Sequence, residues 1–157
     1  WRPGTGAKTM EIREVTHNKK RYLSLLLLAD EQESMIDRYL ERGEMFAVYE
    51  DGRPIAVGVV TDEGNGIGEI KNLAVRPEFQ RQGHGHRLLR FFRDHYRGRF
   101  RELRVGTGDS PLTLPFYENF GFIRSHRILG FFTEHYDHPI VENGRLLTDM
   151  IYLKLEL

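Results

Sequence analysis

The chain contains no cysteine, so disulfide frameworks, thiolate metal sites and cysteine nucleophiles are all excluded, and a reducing compartment, the cytoplasm, is the simplest expectation. Long apolar runs are also missing. The longest strongly apolar stretch, Leu23 to Ala29, is far short of the roughly 20 residues that span a bilayer, so no membrane insertion is expected. Net charge is lacking too, at +0, which argues against a general attraction to nucleic acid or anionic lipid. No repeat or low-complexity tract interrupts the chain. What is present, 39% apolar and 29% charged residues in 157 with ten Phe and seven Tyr, suits one domain with a real core.

The charge is unevenly placed. Arg76, Arg81, Arg87, Arg90, Arg93, Arg97, Arg99, Arg101 and Arg104 face only Glu78, Asp94 and Glu102 in the same stretch. A local anionic ligand fits this better than a polymer, and no nucleic-acid partner is expected.

Residues 1–9 read as a leader, with a single domain over residues 10–157. Gly4 to Thr9 is not a Walker loop, because Gly and Lys are not adjacent and no strand precedes them. From Met10 a strand-like alternation begins, and helical segments are expected at about Asn18 to Ala29 and Glu31 to Arg42, the second closed by Gly43. Short β-rich runs follow at Met45 to Tyr49, Ile55 to Thr61 and Ile67 to Val75. They are separated by Asp51-Gly52 and Gly64-Asn65-Gly66, the turn chemistry of an antiparallel meander. A helix carries Gly85, Leu88, Leu89, Phe92 and Tyr96 on one face and arginines on the other, and then a strand opens at Glu102. Strand, helix and strand of this length make a βαβ crossover with parallel strands. A helix at Leu112 to Asn119 ending at Gly121, and a last strand at Asp149 to Leu157, complete a mixed α/β fold.

The chemistry concentrates at Gln80-Arg81-Gln82-Gly83-His84-Gly85-His86, between a strand and a helix start. Unspent N–H groups and the positive end of a helix dipole suit a pyrophosphate there, with the glycines allowing close approach. Two glycines alone also fit a plain tight turn.

Together with Ile70-Lys71-Asn72-Leu73-Ala74-Val75-Arg76-Pro77 and Phe116-Tyr117-Glu118-Asn119-Phe120-Gly121-Phe122, this loop resembles the GCN5-related N-acetyltransferase (GNAT) superfamily. Its coenzyme A loop reads [QR]-x-x-G-x-[GA], and its second signature resembles [LF]-Y-x-x-x-G-F. Residues Gly106 to Ser110 and Phe132 to Tyr136 also look like a branch of bacterial acetyltransferases. The resemblance implies a mostly antiparallel central sheet flanked by helices, with one parallel βαβ crossover at the acetyl-CoA site. It implies an acetyl-CoA-dependent N-acetyltransferase in which an amine attacks the thioester directly in a ternary complex. The cofactor contacts carry over to Leu73, Ala74 and Val75 through main-chain groups, to Arg81, Gln82, Gly83, His84, Gly85 and His86 for the pyrophosphate, and to Tyr117. Where the family usually has a pantetheine-binding Asn, this chain has Ser110, which could replace that contact or cap the next helix.

An alkylammonium of pKa about 10.4 is free amine only about once in 2,500 molecules at pH 7, a deficit of about 4.6 kcal/mol. A carboxylate base and a donor for the departing thiolate are therefore needed. By resemblance to histone-type members, Glu69 is the base candidate, and by the second signature Tyr117 is the acid. Strand alternation would put Glu69, Lys71, Leu73 and Val75 on one face. No metal site is expected: neither His84 with His86 nor His135 with His138 has a further ligand cluster, and His84 and His86 would face phosphate or solvent. The connection Leu129 to Leu147, with Phe131, Phe132, His135 and Tyr136, is read either as loop packing or as an acceptor pocket wall. The partner expected is a small-molecule amine, with a homodimer possible by family habit. The competing reading is an acyl-CoA-binding sensor without turnover.

Overall fold

The computed structural model describes residues 9–157, so the leader expected over residues 1–9 lies outside the described residues except for Thr9. Thr9 already belongs to the fold: its N–H donates to Asp51 Oδ1 and its carbonyl accepts the Asp51 N–H.

Nine strands and five helices follow in chain order among the described residues: β1 (Met10–Val15), α1 (Leu23–Ala29), α2 (Glu33–Ile36), β2 (Glu44–Glu50), β3 (Arg53–Asp62), β4 (Ile67–Val75), α3 (His84–Tyr96), β5 (Glu102–Gly108), α4 (Leu114–Phe120), β6 (Ile123–Ile128), α5 (Phe131–His135), β7 (Val141–Glu142), β8 (Arg145–Leu146) and β9 (Met150–Glu156). The main sheet has the order β1-β2-β3-β4-β5-β9-β6, and only β4 and β5 run parallel. The meander turns as its residues require. Asp51 and Gly52 both adopt positive φ, at 49° and 79°, the conformation of a two-residue hairpin turn.

Each face of the sheet has its own core. On one, α3 lays Leu88, Leu89, Phe92 and Tyr96 against Phe46, Val48, Ala56, Val60 and Ile70. A 13-residue helix is marginal alone, so α3 persists because of this face, each buried side chain contributing about 1.5–3 kcal/mol. Gly58 on β3 is required here, since a Cβ would meet Phe92 Cζ at 2.5 Å. On the other face Leu25, Leu26, Ile36, Tyr39 and Leu40 cover Met45, Ala47, Val57, Val59 and Ala74. Among the described residues no helix is long and apolar enough to cross a membrane.

Two local expectations need correction. The second helical segment is one turn, α2, followed by turns rather than a helix to Arg42. Gly43 does not cap it through positive φ; glycine is needed because a Cβ would meet Val59 Cγ1 at 2.6 Å and Tyr39 O at 2.9 Å. In the connection after β6, α5 and the β7–β8 hairpin build a small apolar cluster of Phe132, Ile140 and Leu147, in keeping with the packing reading.

Candidate active site

The site arises where two parallel strands part. β4 and β5 pair from Ile67–Glu102 to Ile70–Val105 and no further. Beyond that point lies a cavity of about 520 Å³, lined among others by Leu73, Ala74, Val75, Gln80, Gly106, Thr107 and Tyr117.

A bulge decides which β4 groups face it. Val59 pairs with Asn72 and Val60 with Ile70, so Lys71 is the extra residue. The face predicted by simple alternation is therefore wrong beyond Lys71. Leu73 and Val75 join Ile70 on the α3 face, while Ala74 packs on the α1 face and Asn72 donates to Leu26 O and Tyr39 Oη there. The main chain follows the same logic. The Arg76 N–H is spent on Ile55 O of β3, so alternation turns the polar groups of Val75 and Leu73 toward the open edge and those of Ala74 toward β3. The Val75 carbonyl there accepts from Gln80 Nε2 at 3.0 Å.

After Gln80 the chain curls through Arg81 and Gly83, with φ of 61° and 85°, into the start of α3. Such left-handed residues turn N–H groups into a concavity suited to anions. The first helical bond starts from the Arg87 N–H to Gly83 O, leaving those of His84, Gly85 and His86 ahead of it. Residues 81–86 do not line the cavity but follow directly on its Gln80 edge. Their side chains depart from expectation. His86 Nε2 bonds Phe116 O at 3.0 Å with its ring against Phe116 in a half-buried position, and His84 is buried beside Phe79, so contacts within the protein hold both imidazoles. Gly85 serves packing, because a Cβ would lie 2.7 Å from Phe116 Cζ.

Tyr117 on α4 is buried except where it lines the cavity, its ring held edge-on by Phe116 and Phe122. Burial raises its pKa well above the ordinary phenol value, so the hydroxyl keeps its proton. Ser110 is 1% exposed, does not line the cavity, and accepts the Leu112 N–H at 3.1 Å: it caps the turn before α4.

Glu69 lines a second cavity of about 260 Å³, together with Met35, Arg38, Tyr39, Phe131 and Tyr152. Its carboxylate pairs with Lys71 Nζ at 2.7 Å and accepts from Tyr152 Oη at 3.3 Å. Asp30, Ile70, Lys71, Gly106, Tyr136 and Met150 line both cavities, so the two adjoin. Tyr117 and Glu69 thus stand in neighbouring chambers.

Sequence reasoning missed Asp30. It accepts from Tyr39 Oη at 3.0 Å and Tyr136 Oη at 2.7 Å, partners 9 and 106 residues away. Only the acidic pair Asp30-Glu31 after an apolar run marked it. The connection after β6 does supply both packing and pocket wall, through Phe132, Tyr136, Ile140 and Leu147. His138 is tied to Glu31 at 2.9 Å and to Asp137 at 2.6 Å. The arginine run is largely engaged within the protein: Arg93 and Arg97 with Asp94, Arg99 with Glu44, Arg104 with Glu102.

Comparison with known proteins decides the family. Residues 41–124 match the family model described as an acetyltransferase (GNAT) domain. The chain belongs to the GNAT acetyltransferase family. It is 33% identical over 150 residues to the uncharacterized N-acetyltransferase YvbK of Bacillus subtilis strain 168, covering 94% of this chain and 96% of that one. A GNAT family acetyltransferase of Elizabethkingia anophelis, solved with acetyl-CoA bound, superposes with a TM-score of 0.89 at 35% identity, over 94% of this chain and 98% of that one. A Bacillus subtilis acetyltransferase solved with CoA gives 0.86 at 32% identity, over 95% and 99%. This GNAT acetyltransferase therefore has the mixed, mostly antiparallel sheet with one parallel pair that its motifs imply.

Proposed function

We infer that the protein transfers an acetyl group from acetyl-CoA to a primary amine by direct attack, with the larger cavity holding the cofactor arm and the smaller one the amine. The observation that carries this reading is the pairing of Tyr117 on the larger chamber with Glu69 on the adjoining one. An extended thiol arm fits the unpaired edge of β4, where Leu73 and Val75 present main-chain donors and acceptors, and a pyrophosphate fits the N–H groups of residues 83–86. Bound acetyl-CoA would supply the activated acyl carbon and the sulfur leaving group.

The residues divide the remaining work. Glu69 takes the ammonium proton, directly or through a water. The Leu73 and Val75 N–H groups, rather than those of Ala74, stabilise charge growing on the acyl oxygen. Tyr117, held neutral by burial, gives its proton to the sulfur as the carbon–sulfur bond breaks.

Thermal unfolding with and without acetyl-CoA tests the cofactor half of this reading, with Gly83→Glu as control. At 100 times its dissociation constant the ligand should add about 2.7 kcal/mol, lost in the variant. Absence of any shift at millimolar ligand would refute it. Thiol release across a panel of amines tests turnover and separates an enzyme from an acyl-CoA sensor.

A further inference from the structure

The acceptor reaches the reaction as an ammonium ion, and a cation needs a carboxylate whose charge is not already spent. The acids around the two cavities differ in this respect. Glu69 is paired with Lys71 at 2.7 Å, Glu31 faces His138 at 2.9 Å, and Glu142, which has no ion pair among the described residues, lines only the larger cavity. Asp30 forms no ion pair among the described residues, and it lines both cavities.

Its surroundings favour a cation. Each Asp30 oxygen accepts one tyrosine hydroxyl, Oδ1 from Tyr136 and Oδ2 from Tyr39, which fixes the carboxylate and leaves lone pairs on both oxygens. A third link makes the frame rigid, because Asn72 Nδ2 donates to the same Tyr39 oxygen at 3.1 Å. Asp30 also follows the last residue of α1, so the carbonyl end of that helix adds to its negative potential. The charges lining the smaller cavity besides Asp30 and Glu69 are Lys71, Arg38 and Arg42. Lys71 is held by Glu69 and Arg42 by Glu63 at 2.9 Å, while Arg38, whose Nη1 lies 3.5 Å from Met35 Sδ, has no ion pair among the described residues and is a like charge that keeps the docked ammonium at the Asp30 end of the chamber. Burial raises the pKa of the Asp30 carboxyl, the mark of a desolvated charge that a cationic ligand would relieve.

The geometry points to Asp30 as the residue that docks the acceptor's ammonium group at the junction of the two cavities, between the tyrosine rings of Tyr39 and Tyr136. This rests on the amine-acetylating function inferred above and assigns the acceptor class: small amines that arrive charged, with an apolar body for the aromatic and Met35 side of the smaller chamber. Docking requires no bond to form or break at Asp30. The proton still leaves through Glu69.

Benzylammonium and its neutral isostere benzyl alcohol are suitable probes, titrated calorimetrically into the protein with and without coenzyme A. The wild type should bind benzylammonium at least about tenfold more tightly than the alcohol, the weight of one charged hydrogen bond. Asp30→Asn should bring that ratio to near one, with affinity for the alcohol unchanged. Tyr39→Phe and Tyr136→Phe, which keep the carboxylate but each remove one bracing hydroxyl, should retain the preference; if they abolish it as fully as Asp30→Asn, Asp30 is only a brace. In the wild type, the Asp30 carboxylate carbon resonance should move with benzylammonium and stay still with the alcohol, a readout independent of any variant's folding. A ratio near one in the wild type, a ratio that survives Asp30→Asn, an unmoved Asp30 resonance, or no saturable ammonium binding overturns the assignment. Failure of the cofactor reading would appear separately, as no thermal shift with acetyl-CoA.

Discussion

The ammonium of Lys71 and the carboxylate of Glu69 meet at 2.7 Å on β4, where the strand bulges at Lys71 itself. The glutamate side chain is 7% exposed and the lysine 22%, so the pair is mostly desolvated. Removing the lysine leaves a buried carboxylate with only the Tyr152 hydroxyl. Lys71→Met should therefore destabilise the protein by about 1–3 kcal/mol, and more than Glu69→Gln does, as read from urea midpoints. Equal effects would mean that the ion pair is not what holds Glu69.

Tyr117→Phe keeps the ring between Phe116 and Phe122 and removes only the hydroxyl. If that hydroxyl protonates the leaving sulfur, kcat should fall about 10²–10⁴-fold while the acetyl-CoA dissociation constant changes little. Loss of binding in step with activity would assign the ring to cofactor binding alone.

Gly85→Ala places a methyl 2.7 Å from Phe116 Cζ, and the φ of Gly85 is not the obstacle. The resulting overpacking should cost about 1–3 kcal/mol, and a smaller residue at Phe116 should recover part of it. Thermal melts of the single and double variants check the coupling. Additive losses would place the need for glycine elsewhere.

His138 carries a raised pKa, caused first by its hydrogen bond to Asp137 and then by that to Glu31. A raised folded value means that the tether between residues 129–147 and α2's approach is complete below about 6.5, the unfolded value, and weakens as pH rises through the folded one. Amide protection factors in residues 129–147, taken relative to the intrinsic base-catalysed rate, should fall across that window. His138→Gln should remove the pH dependence of protection, and pH-independent protection factors in the unmutated protein would show the tether to be inert.

Much of this was readable along the chain because its causes are local. Asp51-Gly52 turns the first hairpin through its own φ preferences, and the apolar face of α3 is written in its spacing. The two signatures located Tyr117 and the loop at Gly83. What escaped depends on partners distant in sequence. The bulge at Lys71 emerges only when β3 and β4 are paired, and it reverses the faces of Leu73 and Val75. Asp30 becomes a site only once Tyr136 folds back onto it. His84 and His86 read as facing phosphate or solvent because their positions flank a loop glycine, yet their rings pack against Phe79 and Phe116.

The small cluster of Phe132, Ile140 and Leu147 is separate from both cores of the sheet. This panel, which lines the larger cavity through Phe132, Ile140 and Leu147 and the smaller through Phe131 and Tyr136, thus has its own fastening, joined to the α1–α2 corner by Tyr136 on Asp30, the Asp137 N–H on Gln32 and His138 on Glu31. Residues 129–147 therefore form a separately fastened panel, in which changes at Phe131 or Tyr136 would reshape the smaller cavity without touching the packing of β4 against α3.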